Sequence, residues 1–130
     1  MAKPVVYDAS ALLALVLDEP GAERARITLS EGVISSVNLS EVIATLVSRG
    51  ATTADIGALI EDLPLEVVLF TADDAVTAGL LRASTKAFGL SLGDRACLAL
   101  GRRLEAQILS ADRAWEKLPG ILAETVELIR

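Results

Sequence analysis

The chain has 130 residues, of which 52% are hydrophobic, and it carries 18 acidic against 12 basic side chains, giving a formal net charge of -6. This length and composition suffice for one domain with a buried core, and no apolar run approaches the ~20 residues of a membrane-spanning helix. Because it contains no histidine and one cysteine, Cys97, the sequence excludes a histidine general base, a Ser-His-Asp triad, a histidine-ligated zinc ion and an intramolecular disulfide.

The first residues and the charge balance bear on where the chain acts. Met1 to Pro4 lead directly into an apolar run without a signal segment, so we expect a cytoplasmic protein that has no contact with a membrane. The acidic net charge argues against the basic surface typical of nucleic-acid-binding proteins. Divalent cations held by acidic residues would reduce this negative charge, because each cation offsets two carboxylates.

Short β-branched runs alternate with longer helical patterns, which is typical of βαβ units and a parallel sheet. In chain order, the predicted elements are a strand at residues 5–8, helices at 9–17 and 21–30, a strand at 33–35, helices at 39–49 and 53–62, a strand at 66–69, helices at 72–88 and 93–104, and strands at 107–109 and 125–128. No repeat or flexible linker interrupts the pattern. We therefore expect residues 1–130 to form a single α/β domain around a mostly parallel sheet of four to five strands.

Four acidic residues lie where these elements meet. Asp8 ends the first strand and Glu41 falls in the first turn of the helix predicted at 39–49. Asp94 begins the helix at 93–104, and Asp112 follows the strand at 107–109. Because the carboxyl ends of parallel strands share one edge of a sheet, we expect these side chains to meet in one crevice. Oxygen ligands without histidine or cysteine favour Mg²⁺ or Mn²⁺ over zinc, so the pattern predicts a site for one or two such ions.

Each acid also has a structural interpretation that the sequence leaves open. Asp8 and Asp94 are both placed to act as helix N-caps. Glu41 falls opposite the apolar stripe of its helix, which is typical of a solvated face. Asp112 precedes Trp115 in a segment where aspartate often forms a turn.

Three polar residues beside the acids are candidates for supporting roles. Ser10 either donates to a ligand or phosphate oxygen or caps the first helix. Asn38 is expected to cap the helix at 39–49, and Ser110 to project the same way as Asp112 from an extended segment. Cys97 lies in an apolar run, where a small buried side chain is favoured over a reactive thiol.

Four segments, at residues 6–13, 38–42, 91–100 and 109–115, together closely resemble the PIN domain of VapC-type toxins, with Ser-Leu-Gly-Asp-Arg-Ala at 91–96 as the most specific motif. The resemblance implies a three-layer α/β/α sandwich and a Mg²⁺- or Mn²⁺-dependent endoribonuclease. It also implies that Asp8, Glu41, Asp94 and Asp112 are the acidic quartet of the family. Ser110 stands where the family commonly has threonine, and because serine keeps the hydroxyl we expect little loss.

The expected reaction is hydrolysis of an RNA phosphodiester bond by a water that the metal activates, which leaves a 5′-phosphate. Asp8 and Asp94 are expected to be the principal metal ligands. Two alternatives stay open. One is a catalytically weak PIN module that binds RNA or protein, and the other is a phosphatase or phosphotransferase that uses Asp8 as its nucleophile.

The expected partners are RNA, an antitoxin and a second copy of the chain. Contacts to RNA phosphates are expected from Arg82, Arg95 or Arg113. The resemblance implies a cognate VapB-like antitoxin that binds and inhibits the enzyme, and we expect one of its segments to cover the cleft. Such an apolar chain is also expected to expose an apolar patch, which predicts a homodimer.

Overall fold

A computed structural model describes residues 3–120 and 125–130, in which five strands form one sheet with every pair parallel. The strands are β1 Val5–Tyr7, β2 Gly32–Ser35, β3 Glu66–Val68, β4 Gln107–Ser110 and β5 Val126–Leu128. The helices in the described residues are α1 Ala9–Val16, α2 Ala22–Ile27, α3 Ser36–Ser48, α4 Thr53–Glu61, α5 Ala72–Leu80, α6 Arg82–Thr85 and α7 Leu92–Leu104. All five predicted strands and the parallel sheet are therefore confirmed.

The strand order, β3-β2-β1-β4-β5, places a topological switch point between β1 and β4. Val6 lies opposite Val33 on one side and Ile108 on the other, so β1 is the central strand. In open parallel sheets, ligands bind beyond the carboxyl ends of the strands at such a switch point. Asp8 follows β1 and Asp112 follows β4, so both acids lie at this edge of the sheet.

The core has two parts, one on each face of the sheet, because successive residues of a strand point to opposite faces. Val6 and Ile108 belong to the part covered by α7, together with buried Trp115. Tyr7 and Leu109, the next residue in each strand, belong to the part covered by α1, α2 and α3. The predicted three-layer α/β/α sandwich is therefore confirmed. None of the helices in the described residues is long and apolar enough to cross a membrane.

Helix α3 starts three residues before the predicted position, which corrects two predictions. Ser35 ends β2 and also caps α3, since its hydroxyl oxygen accepts a hydrogen bond from the Val37 backbone N–H at 3.2 Å. No loop separates strand from helix, so the sequence offers no turn signal there. The prediction that Asn38 caps α3 is wrong, and Glu41 lies in the second turn of the helix rather than the first.

The prediction of a single helix at residues 72–88 is also wrong, because these residues form α5, α6 and a 3₁₀ turn at Lys86–Phe88. The hydroxyls of Ser84 and Thr85 both donate to the carbonyl of Leu81, at 3.2 and 2.7 Å. Hydroxyl side chains that bond back to the preceding turn bend helices. This interruption returns the chain to the start of α7.

Candidate active site

Asp8 lies at the carboxyl end of β1, is 4% exposed and is the N-cap of α1. Its Oδ1 accepts hydrogen bonds from the Ala11 backbone N–H at 2.8 Å and from the Ser10 hydroxyl at 2.7 Å. Its Oδ2 accepts from the Ser110 hydroxyl at 2.6 Å. Burial raises the pKa of Asp8 to about 6, although these hydrogen bonds act in the opposite direction. Asp8 is therefore both a cap and a buried carboxylate poised to titrate near neutral pH.

Ser10 and Ser110 orient Asp8 and join the ends of β1 and β4. An ionised carboxylate only accepts hydrogen bonds, so both hydroxyls must donate their protons to it. Each serine oxygen then accepts a backbone N–H, from Ala111 at 2.8 Å for Ser10 and from Asp112 at 3.0 Å for Ser110. The hydroxyl proton of Ser10 is thus directed to Asp8, and Ser10 acts as a positioning residue in this arrangement.

Glu41 is half-buried against the first turn of α7. Its Oε1 accepts a hydrogen bond from the Asn38 side-chain amide at 2.9 Å. A Cβ atom built on Gly93 would lie 2.2 Å from the same Oε1, so the carboxylate sits directly on the α7 backbone. Burial raises the pKa of Glu41, the Asn38 hydrogen bond lowers it, and the charge of Asp94 raises it further. The solvated-face interpretation is therefore wrong for this carboxylate.

Asp94 lies in the first turn of α7, close enough to Asp8 and Glu41 for its charge to raise the pKa of both. It forms a capping box with Ser91, in which its Oδ2 accepts the Ser91 backbone N–H at 3.0 Å. Cys97, one turn further along α7, is fully buried as predicted. Burial raises the pKa of its thiol well above the ordinary value, and the charges of Asp8, Asp94 and Glu41 add to that effect. Three of the four predicted acids therefore lie within range of one another's charge near the start of α7.

Asp112 is the exposed N-cap of the 3₁₀ turn Arg113–Lys117. Its Oδ1 accepts the Ala114 backbone N–H at 2.9 Å, which is the turn-forming role that the sequence left open. Its backbone N–H contacts the site by donating a hydrogen bond to the Ser110 hydroxyl oxygen. The structure therefore brings Asp112 to the same edge of the sheet but directs its carboxylate to a helix end.

The residues around Asp8 fit a hydrated hard cation by their chemistry. Within residues 3–120 and 125–130, no three acidic, histidine or cysteine side chains form a ready-made metal-binding group. The donors are nevertheless all oxygens, and Asp8 Oδ2 accepts one hydrogen bond where it has room for two. Asn38 Oδ1 is buried with no hydrogen-bond partner among the described residues. Mg²⁺ usually keeps several waters and takes only one or two carboxylates, so this donor set suits it.

Two of the three arginines expected to contact phosphate have partners within the chain. Arg95 donates to the Ala78 carbonyl at 2.9 Å, and Arg113 pairs with Glu116 at 2.8 Å. Arg82 is exposed, and its side chain makes no hydrogen bond or ion pair with the described residues.

Gly93, which makes room for Glu41, stands out in the sequence only as the neighbour of Asp94. No local signal identifies that role, because Gly93 and Glu41 lie far apart in sequence.

Comparison with known proteins identifies one family and several solved structures. The family model of the PIN domain matches residues 5–121. No curated protein matches the chain. A chain from a toxin-antitoxin complex of Klebsiella pneumoniae is similar at a TM-score of 0.72 and 16% identity, with 97% of this chain and 98% of that one covered.

Two further structures are similar over nearly their whole length. One is DNA-bound VapBC from Salmonella typhimurium, with a TM-score of 0.71, 20% identity and coverage of 99% of this chain and 100% of that one. The other is VapC20 from Mycobacterium tuberculosis, a toxin that cleaves the sarcin-ricin loop, with a TM-score of 0.67, 19% identity and coverage of 92% and 93%. At these identities the likeness establishes a shared fold.

Proposed function

The chain belongs to the PIN-domain family, and from that premise we propose that it is a metal-dependent endoribonuclease acting as the toxin of a toxin-antitoxin pair. The observation that carries the proposal is the placement of three acids at the switch-point edge of the sheet. Asp8 follows β1, and Glu41 lies against Gly93, the residue before Asp94. The similar fold of VapC20, a toxin that cleaves the sarcin-ricin loop, supports RNA as the substrate.

A divalent cation would make this grouping of acids stable. Two carboxylates about 4 Å apart repel by roughly 4 kcal/mol at an effective dielectric constant of 20. The raised pKa values of Asp8 and Glu41 are consistent with such unrelieved repulsion added to the effect of burial. Asp8 and Asp94 would be the principal ligands of Mg²⁺ or Mn²⁺, and Glu41 and Asp112 would complete the site directly or through water.

The chain's own residues would hold and orient the reacting groups. When bound, the cation would supply an activated water and neutralise charge on the scissile phosphate. Ser10 and Ser110 hold the Asp8 carboxylate in one orientation from both sides. The Asp94 backbone N–H donates to the Ser91 hydroxyl oxygen at 3.2 Å, which fixes the backbone of Asp94 at the start of α7. Preorganised ligands of this kind lower the cost of binding the cation.

The phosphatase alternative makes its own prediction. A nucleophilic Asp8 would form a phospho-aspartyl adduct that can be trapped during the reaction. The alternative of a PIN module that binds RNA without cutting it makes a different prediction. It requires RNA binding without cleavage under saturating Mn²⁺.

We also propose a VapB-like antitoxin as partner, because chains of similar fold occur in toxin-antitoxin and VapBC complexes. A segment of that antitoxin would cover the acidic cleft and place an arginine among the carboxylates. Cross-linking of the co-purified complex tests this placement. A partner that contacts only a face remote from Asp8 would contradict it.

A second copy of the chain is the proposed occupant of the outer face of α5. Val76 and Leu80 lie one turn apart on this helix and are 61% and 75% exposed. Exposed Asp73 lies on the same face about one turn before Val76. Two such faces packed about a two-fold axis would bury the Val76 and Leu80 side chains of both copies.

The experiment that tests the enzymatic proposal is cleavage of cellular RNA by the purified chain with Mn²⁺ or with EDTA. We expect cleavage only with the metal, and we expect Asp8→Asn to abolish it. Metal-dependent cleavage that survived Asp8→Asn or Asp94→Asn would overturn the assignment of these residues.

A further inference from the structure

Asn38 links the acid on α3 to the start of α7 through one side-chain amide. It is 1% exposed, and its Nδ2 donates to Glu41 Oε1 and to the Gly93 carbonyl, both at 2.9 Å. Both of these partners can only accept hydrogen bonds, so the amide nitrogen and not the oxygen must face them. The orientation of the Asn38 side chain is therefore fixed by two bonds to residues far apart in sequence.

Gly93 supplies the surface against which Glu41 is held. A Cβ atom at Gly93 would lie 2.2 Å from Glu41 Oε1, 2.3 Å from Cδ and 2.4 Å from Oε2. Contacts this short do not occur between real atoms, so any side chain at position 93 would displace the carboxylate. Because the next residue is Asp94, the position of Glu41 against Gly93 also sets its separation from a proposed metal ligand.

The second polar atom of the Asn38 side chain is its amide oxygen, Oδ1. Asn38 Oδ1 is buried and has no hydrogen-bond partner among the described residues. Leaving a buried acceptor unpaired destabilises the folded state. A hydrated divalent cation held by the neighbouring acids would bring hydrogen-bond donors near Asn38, since Mg²⁺ sites usually keep waters.

We propose that Asn38 and Gly93 are positioning residues of the metal centre. Asn38 holds the Glu41 carboxylate against the backbone at Gly93 through Nδ2, and its Oδ1 receives a hydrogen-bond donor that the hydrated cation brings. The inference rests on the proposed function only in requiring a divalent cation at these acids. It does not require that the chain cut RNA.

The test is calorimetric titration of Mn²⁺ into the full chain and into Asn38→Ala and Gly93→Ala variants. Loss of a group that orients a metal ligand commonly weakens metal binding about 10-fold to 100-fold, and we expect this of both variants. Gly57→Ala is the matched control, because Gly57 lies within helix α4 with no atom near its Cβ position. We expect Gly57→Ala to bind Mn²⁺ as the wild type does.

A double-variant comparison separates positioning of Glu41 from a general effect on the fold. If Asn38 acts in part through Glu41, Asn38→Ala should cause a smaller loss of Mn²⁺ affinity in a Glu41→Gln background than in the wild type. Melting in EDTA reports whether each variant folds, and Asn38→Ser replaces Asn38→Ala if the latter does not. The inference would be overturned if the folded Asn38 and Gly93 variants bound Mn²⁺ as tightly as the wild type. It would also be overturned if Asn38→Ala lost as much Mn²⁺ affinity in the Glu41→Gln background as in the wild type. Absence of Mn²⁺ binding to the wild type would instead overturn the proposed metal centre itself.

Discussion

Asp8 is the most deeply buried of the four acids, and its protonation governs the charge of the site near neutral pH. Burial moves its pKa from 3.8 to about 6. In the unfolded chain the carboxyl is ionised above about pH 4, while in the folded chain it holds its proton up to about pH 6. The folded state thus binds more protons in this window, and its stability decreases as the pH rises through it.

We therefore expect Asp8→Asn to stabilise the metal-free protein at pH 7.5 and to lose that advantage at pH 4. The shift of about two pKa units corresponds to at most about 3 kcal/mol, reduced by any weakened hydrogen bond to Ser110. Urea unfolding in EDTA at both pH values measures the difference. Asp55→Asn is the control, because Asp55 is an exposed cap whose pKa is lowered by its bonds to Thr52. An Asp8→Asn advantage that did not change with pH would contradict the assigned pKa.

The positions of the acids can be predicted from the sequence more readily than their contacts. Asp8 and Asp94 are found because each follows an apolar run or begins a helix, which single-sequence patterns reveal. The contact of Glu41 with Gly93 cannot be found in this way, because it depends on how α3 packs against α7. The direction of the Asp112 carboxylate toward Ala114 also depends on a backbone turn that admits both interpretations.

At the scale of elements, an ion pair between α5 and α7 holds the helix that carries Asp94. Arg103 donates to both oxygens of Asp74, at 2.9 and 3.0 Å, and Asp74 is 3% exposed. Burial alone would raise the pKa of Asp74, but the bonds from Arg103 and Thr71 outweigh it and lower the pKa. The pair therefore stabilises the fold above the unfolded pKa of Asp74, and the contribution fades as the pH falls toward the lowered value.

We expect Arg103→Met to destabilise the protein by about 1–3 kcal/mol at pH 7, because it leaves a buried carboxylate with fewer donors. Arg102→Met is the matched control, since Arg102 is the exposed neighbour and forms no ion pair with the described residues. Chemical denaturation at pH 7 gives both values. Equal effects of the two substitutions would show that the pair contributes nothing specific.

Helix boundaries show where sequence patterns fail at this scale. The long helix predicted at residues 72–88 follows good helical periodicity, but side-chain hydroxyls of Ser84 and Thr85 interrupt it at Leu81. The predicted start of α3 is too late because Ser35 serves two elements at once. In both places the helix boundary coincides with side-chain hydrogen bonds to the backbone that the apolar pattern does not reveal.

At the scale of the whole molecule, the parallel sheet is predictable because each of its strands is a short β-branched run between helical segments. The order β3-β2-β1-β4-β5 cannot be predicted in the same way, since any parallel order satisfies the same alternation. That order nevertheless positions the candidate site, because it puts the ends of β2 and β4 on either side of the end of β1. Asp8 follows β1, and Ser110 at the end of β4 donates a hydrogen bond to it.

The proposed dimer makes a prediction that belongs to the whole molecule. Leu80→Glu places a charge among the exposed apolar side chains of the α5 face, so we expect it to convert a dimer to a monomer. Ile27→Glu is the control, because Ile27 is 73% exposed on α2, about as much as Leu80 at 75%. Light scattering after size-exclusion chromatography measures the mass. A dimer that persisted in Leu80→Glu would show that another face is used.

The proposed nuclease requires that Asp94 take part in metal-dependent RNA cleavage beyond its role as a helix cap. Asp94 and Asp55 occupy the same position of equivalent capping boxes, with Ser91 and Thr52 respectively, but only Asp94 lies beside Asp8 and Glu41. The most direct measurement compares RNA cleavage by wild type, Asp94→Asn and Asp55→Asn, each with Mn²⁺ and with EDTA. We expect Mn²⁺-dependent cleavage by wild type and Asp55→Asn and none by Asp94→Asn. Mn²⁺-dependent cleavage that Asp94→Asn retained would contradict the proposed role of this carboxylate.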